Sequence, residues 1–256
     1  MAIVDVSQYL ERIGFDAPIA VDLPTLAALQ RTHLSSVAFE NLDVFGEIAV
    51  RTDLDWSLDK IVRQRRGGWC FELNGAFSAL LRSIGFDVRL LGAAVLLEGP
   101  NVMIDHLTLE VTLDQPYLVD VGFGESFILP LELNRPGPQD GGSGTFELIG
   151  SAQGLTLTQH DEKGVPTPQY RFKRVDRVLQ DFDGASQRLR SDPNLHWRQK
   201  PFATRLLDGG PDRVTLLSDR IKVTVDGLTT VTPVAADGWA DVLLAEFEMV
   251  VEPDSD

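Results

Sequence analysis

The hydrophobic pattern of this chain switches period at Gly85, and that switch most constrains the class of fold. Before it, apolar residues recur at helical spacing. Val6, Tyr9, Leu10 and Ile13 share one face of a helix over 6–13, with Gly14 as its C-cap. Leu26, Leu29 and Leu34 predict a second helix opened by Leu23-Pro24, because proline is tolerated in a first helical turn. A third opens at Ser57-Leu58-Asp59-Lys60-Ile61-Val62. A fourth runs from Cys70 to Ser83, with Leu73, Phe77, Leu80, Leu81 and Ile84 on one stripe.

After Gly85 the period is two. Phe86 to Leu97, His106 to Leu113 and Pro116 to Gly122 read as strands, and Leu133 to Gly154 reads as loop because prolines and glycines punctuate it. Strands follow at Gly154 to Gln159, Gln169 to Val175, Arg213 to Leu217 and Arg220 to Val225. Helices are expected at Val178 to Leu189 and Trp239 to Val250, with a frayed tail at Glu252 to Asp256. Helices, then strands, then a mixed end predict an α+β organisation rather than alternating βαβ units. No internal repeat is visible.

Composition narrows the function classes. A chain of 256 residues, 43% apolar, buries a core without disulfide or metal staples. Its net charge of −15 is the reverse of a nucleic-acid-binding footprint and repels an anionic membrane surface. The acidic start lacks the lysines and apolar core of an export signal, and the apolar run Leu90 to Leu97 is too short to span a membrane. A cytoplasmic protein is the expectation. Four scattered histidines and one cysteine form no zinc pattern, and no dinucleotide or P-loop glycine motif occurs. The expectation is therefore no metal and no nucleotide redox cofactor.

The one cysteine has unusual neighbours. In Arg66-Gly67-Gly68-Trp69-Cys70-Phe71-Glu72, two glycines precede a helix start and Cys70 falls in its first turn. There the unpaired N–H groups and the helix dipole favour a thiolate, as a nucleophile requires; a structural cysteine would sit mid-helix on the apolar stripe. His106 shares a strand face with Thr108 and Glu110, and Asp120 shares one with Leu118. A hairpin centred at 113 or 114 puts His106 opposite or diagonal to Asp120, with Cβ atoms about 4.5–8 Å apart. Apolar neighbours bury Asp120, and a buried carboxylate needs a partner. The His106–Asp120 pair fixes the ring tautomer and favours the imidazolium that stabilises the Cys70 thiolate.

These segments resemble the arylamine N-acetyltransferase family, bacterial type, over most of the chain. The resemblance rests on Phe39-Glu40-Asn41-Leu42, the Arg66–Glu72 segment, His106-Leu107-Thr108-Leu109 and Leu118-Val119-Asp120-Val121-Gly122-Phe123-Gly124. It implies a helical bundle (1–86) carrying the nucleophile, a β-barrel (87–192) carrying histidine and aspartate, and an α/β lid (193–256). It implies a cysteine-protease-like Cys-His-Asp core, here Cys70, His106 and Asp120. The implied reaction is ping-pong: acetyl passes from acetyl-CoA to the cysteine, then to an arylamine or arylhydrazine. By position, Phe39, Trp69, Val95 and Phe123 match pocket-lining residues, and Glu40 and Arg66 match a structural charged pair near the nucleophile.

The chain also departs from the family. Ala38 replaces a usual proline, Gly92-Ala93-Ala94-Val95 lacks an arginine often found before the pocket valine, and the lid keeps Asn194 and Pro201 but not the small residues between them. Arg198, Lys200 and Arg205 are candidates for a local positive patch facing CoA phosphates. Two other functions share the triad: an amide synthase of the same fold acting on a natural-product acyl chain, and a thiol hydrolase.

Overall fold

The computed structural model describes residues 4–48 and 50–250. In the first third, α1 (Val6–Ile13) is capped by the Asp5 side chain and closed by Gly14 at φ 70°. Helix α2 (Leu23–Ser36) starts on the Asp22 side chain, which accepts from the Thr25 amide. A short strand β1 (Phe39–Glu40) and helix α3 (Leu42–Phe45) follow. Helix α4 (Leu54–Leu58) begins three residues before the expected Ser57, because Asp53 is the N-cap and accepts from the Trp56 amide. It widens into a π-type turn over Asp59–Arg63.

Helix α5 (Cys70–Ile84) ends at Gly85, φ 117°, as its sequence predicts. Every residue from Cys70 to Leu81 is buried, not just one stripe. The helices pack on one side of α5 and the sheet on the other, so it is the axis of the largest core.

The second third is a curved sheet of eight antiparallel strands. These are β2 (Asp87–Val95), β3 (His106–Thr112), β4 (Pro116–Val119), β5 (Leu131–Glu132), β6 (Gln139–Asp140), β7 (Thr145–Ser151), β8 (Gly154–His160) and β9 (Pro166–Arg177). Their order is β5-β4-β3-β2-β9-β8-β7-β6, leaving β5 and β6 as the two edges. The Gln139 side chain joins those edges, donating to the Glu132 carbonyl and accepting from its amide, both at 2.9 Å. The sheet is thereby a nearly closed barrel around Phe127, Phe146, Leu157, Tyr170 and Phe172.

Two readings are corrected here. The expected loop over 133–154 contains β6 and β7; Phe146 and Leu148 alternate into the barrel, and the turns are confined to 133–138, 141–144 and 152–153. Val178 to Leu189 is not one helix but a 3₁₀ turn (Leu179–Phe182) followed by α6 (Asp183–Ser191).

The last third contains α7 (His196–Gln199), β10 (Phe202–Leu206), β11 (Arg213–Leu217), β12 (Arg220–Val225), β13 (Leu228–Pro233) and α8 (Trp239–Phe247). The second sheet has the order β1-β10-β11-β12-β13, and β1 joins it by pairing Phe39 with Thr204 and Glu40 with Ala203. Helix α8 stops at Phe247, short of the expected Val250, because Glu248 turns left-handed at φ 55°. The expected frayed tail, 252–256, lies outside the described residues. No helix among the described residues is long and apolar enough to cross a membrane.

Candidate active site

Cys70 is the first residue of α5, and close backbone approach sets its position. The Gly68 amide donates to the Ala38 carbonyl (3.1 Å), and the Glu40 amide donates to the Gly68 carbonyl (2.9 Å). A Cβ on Gly67 would lie 2.2 Å from the Ala38 oxygen, so only glycine lets the two segments meet. The departure at Ala38 leaves this contact intact. Glu72 accepts from the Trp69 amide at 3.2 Å, capping the helix start.

A buried ion cluster holds that helix start in place. Arg66 Nη2 reaches Glu40 (3.0 Å) and Asp43 (2.7 Å), while Lys60 Nζ reaches Asp43 (2.7 Å) and Glu72 (3.0 Å). Burial works against the Lys60 charge, yet Glu72, Glu40 and Asp43 together hold its pKa above the ordinary value. Burial pushes Glu72 up, with Lys60 opposing. The sequence reading found Glu40 and Arg66; it missed Lys60, Asp43 and Glu72, whose partners come from three separate elements.

His106 and Asp120 meet across the β3–β4 hairpin. Its register pairs Leu109 with Val119 and Thr112 with Pro116, centring the turn on residue 114 and leaving His106 diagonal to Asp120. His106 Nε2 lies 2.7 Å from Asp120 Oδ2. Burial lowers the His106 pKa, but the facing carboxylate overcomes this and raises it to about 10. With Nε2 engaged, Nδ1 is the ring nitrogen left for the adjacent Cys70 thiol. Burial would raise the Asp120 pKa; the charge and hydrogen bond of His106 and the donors Asn74 and Gly122 N–H hold it low.

Asp120 accepts four hydrogen bonds in all. Oδ1 takes Asn74 Nδ2 and the Gly122 amide, both at 2.9 Å, and Oδ2 takes His106 and, at 3.0 Å, the Tyr170 hydroxyl. Asn74 also ties α5 to β3 through the Leu107 carbonyl (2.6 Å) and to the segment just after β4 through the Val121 amide (3.0 Å). A Cβ on Gly122 would lie 2.7 Å from the Cys70 Cα, so this glycine lets the hairpin end sit on the nucleophile. The sequence reading missed Asn74 and Tyr170. Asn74 carried a faint signal, as a polar residue inside an apolar helix; Tyr170 carried none.

Cys70 and His106 open into a cavity of about 430 Å³ lined by Phe39, Val95, Phe123, Trp197 and Phe202, with Asp105, Glu98 and His196 among its polar groups. Phe123 meets the His106 ring edge-on at 5.1 Å. Trp69 does not line it; 1% exposed, it packs behind, edge-on to Phe71 and Trp197. Trp197 and Phe202 went unnoticed in the sequence. Asn41 places both, donating to the Trp197 and Lys200 carbonyls and accepting from the Phe202 amide.

The three candidate cations do not form a patch on this cavity. Arg198 pairs with Glu47 at 2.6 Å and Lys200 is exposed. Arg205 donates to the Ser35 and Glu246 carbonyls and lines a separate, larger hollow of about 570 Å³ with Arg12, Arg65 and Glu248. That hollow contains none of Cys70, His106 and Asp120. Among the described residues, no group of three or more His, Cys, Asp or Glu side chains could hold a metal ion.

A helix-start cysteine packed against a His–Asp hairpin places the chain in the class of Cys-His-Asp thiol enzymes. Comparison with known proteins narrows the class. An N-acetyltransferase family model matches residues 22–255. The arylamine N-acetyltransferase of Escherichia coli K12 is 32% identical over 214 residues, covering 80% of this chain and 74% of that one. The pineal gland isozyme NAT-3 of Gallus gallus is 38% identical over 153 residues, spanning 57% of this chain and about half (53%) of that relative. The Mycobacterium marinum arylamine N-acetyltransferase solved in complex with CoA superposes with a TM-score of 0.87 at 29% identity, covering 96% of this chain and 93% of that one. The chain belongs to the arylamine N-acetyltransferase family, whose members are acyltransferases.

Proposed function

We propose that the protein transfers an acetyl group from acetyl-CoA to an arylamine or arylhydrazine through a thioester on Cys70. The Cys70 thiolate, paired with the His106 imidazolium, attacks the thioester carbonyl; the bond from carbonyl to CoA sulfur breaks, and His106 supplies the proton to the leaving thiolate. The incoming nitrogen then attacks the acyl-cysteine, gives its proton to His106 and releases the Cys70 thiolate. The Cys70 amide, at the first helical position and without an intrahelical acceptor, is the natural donor to the tetrahedral oxygen in each step. Asp120 orients the imidazole and stays ionised.

The observation that carries this reading is the aromatic cavity directly above Cys70 and His106. Phe39, Phe123, Trp197 and Phe202 present ring faces and edges to a flat acceptor, where offset or edge-on contacts are favourable. The CoA complex of the Mycobacterium marinum relative supports CoA as donor. Initial rates with acetyl-CoA varied at several phenylhydrazine concentrations are expected to give parallel double-reciprocal lines. Intersecting lines, or acetate released at the same rate without hydrazine, would overturn the reading in favour of a ternary complex or a hydrolase.

A further inference from the structure

The charged lining of the Cys70 cavity has one sign outside the triad. Asp105 and Glu98 line it, and no lysine or arginine does. His106 is the lining cation, and Asp120 already pairs with it at 2.7 Å. His196 also lines the cavity, but burial lowers its pKa against the opposing pull of Glu98 at 3.9 Å, so the ring is mostly uncharged at neutral pH. Two arginines hold the 96–105 loop without lining the cavity: Arg188 Nη2 donates to the Ile104 carbonyl (2.9 Å) and Arg171 Nη2 to the Asn101 carbonyl (2.8 Å).

The two acids stand at different depths. The Asp105 carbonyl lies 4.0 Å from the sulfur of the buried Cys70. The Asp105 carboxylate accepts from the Val95 amide at 2.8 Å and from the Asn101 side chain at 2.5 Å, both lining residues. Burial pushes its pKa up, while these two donors, His106 and Arg188 hold the charged form. Both direct partners are neutral amides, so no cation compensates its charge at contact. Glu98 stands at the mouth, its side chain 87% exposed. An acceptor whose nitrogen meets Cys70 thus has Asp105 beside its reacting end and Glu98 beside its outer end. Charge in a half-enclosed cavity is screened less than on open surface, and the net charge of −15 adds to the same sign. The aromatic walls receive any flat ring, which leaves charge to distinguish rings of one shape.

Resting on the acyl-transfer reading, we propose that this cavity selects its acceptor by charge. Aromatic amines and hydrazines that are neutral or bear a cationic substituent enter, and those bearing a carboxylate are turned away by Asp105 and Glu98.

Two measurements at low salt test this on the full chain. One is the rate at which each acceptor discharges the acetylated protein; the other is equilibrium binding by quenching of tryptophan fluorescence, which Trp197 in the cavity wall reports. The acceptors are 4-aminobenzoate, its methyl ester and 4-(aminomethyl)aniline, a cation at neutral pH. The ester group withdraws more electron density than the carboxylate, so intrinsic reactivity favours the acid. The site is expected to reverse that order, discharging with and binding the ester at least about tenfold better, by a factor that shrinks at high salt. Because the ester is also more apolar, two substitutions decide whether the difference is one of charge. Asp105→Asn should bring acid and ester several-fold closer. Glu98→Lys, at an exposed position, should favour the acid and disfavour the cation. Acid and ester that discharge and bind alike, or a preference that neither substitution changes, would overturn the selection and leave acyl transfer standing. A chain that acetyl-CoA never acylates, yet that binds ester over acid by a factor both substitutions reduce, would keep the selection and refute the acyl-transfer reading.

Discussion

Replacing Asp120 by asparagine separates electrostatics from shape in the site. In the wild type the carboxylate overcomes burial and lifts the His106 pKa to about 10, so at pH 7.5 the ring is almost wholly protonated. Without that charge, burial still lowers the pKa and only the neighbouring Cys70 is left to raise it, so the value falls back towards the ordinary one of about 6.5. A ring at the ordinary value of about 6.5 is about one-tenth protonated at pH 7.5, so the population of imidazolium beside Cys70 falls about tenfold. The amide adds a second cost. An NH₂ group at the Oδ1 position faces the Asn74 and Gly122 N–H donors, and at the Oδ2 position it forces His106 Nε2 and the Tyr170 hydroxyl to turn from donors into acceptors. That mismatch removes about 1–3 kcal/mol of stability. NMR titration of His106, with the pH profile of Cys70 alkylation by iodoacetamide, reads the first effect, and urea unfolding reads the second. A D120N protein whose His106 still titrates near pH 10, with an unchanged alkylation profile, would refute the reasoning.

Three further substitutions test the supports of the site. Lys60→Met leaves Glu72, Glu40 and Asp43 buried with Arg66 as their sole cation, and urea unfolding should show a loss of about 3–5 kcal/mol. Gly67→Ala forces a Cβ against the Ala38 carbonyl and should cost about 1–3 kcal/mol, read as a lower Tm together with slower Cys70 alkylation. His33 is fully buried, its Nε2 is hydrogen-bonded with the Tyr9 hydroxyl at 3.0 Å, and burial followed by Arg12 pushes its pKa down to about 3. The unfolded chain takes up that proton near pH 6.5, so native stability should fall by about 2 kcal/mol between pH 6.5 and 5. His33→Gln should flatten that part of the pH profile. His106 has the opposite sign: its contribution is complete below about pH 6.5 and disappears as pH rises through about 10.

The parts of the site legible in the sequence are those set by local rules. Two glycines, a cap and a helical stripe placed Cys70 at the start of α5. Period-two alternation around a short turn put His106 opposite or diagonal to Asp120, and the register makes it diagonal, although both faces of β3 proved buried, not one. What stayed hidden depends on contacts between distant segments. Tyr170 reaches Asp120 because β9 pairs with β2 across a bulge, and no local pattern announces that neighbour. Trp197 and Phe202 roof the cavity because Asn41 and the β1–β10 pairing draw residues about 160 positions apart together. Charge content misled at Arg198 and Arg205, since a sequence does not tell which arginines are already engaged by a carboxylate or a helix-end carbonyl. Barrel closure through the Gln139 side chain was equally invisible, lying in a segment read as loop.

The central claim is that Cys70 carries the acetyl group between donor and acceptor. Intact mass spectrometry after brief incubation with acetyl-CoA tests it directly, without and then with an arylhydrazine, beside a Cys70→Ala control. The account predicts one acetyl group per chain, absent from the control and discharged on adding the hydrazine. An unchanged mass in the wild type, or an acetyl group that the Cys70→Ala protein gains equally, would contradict it.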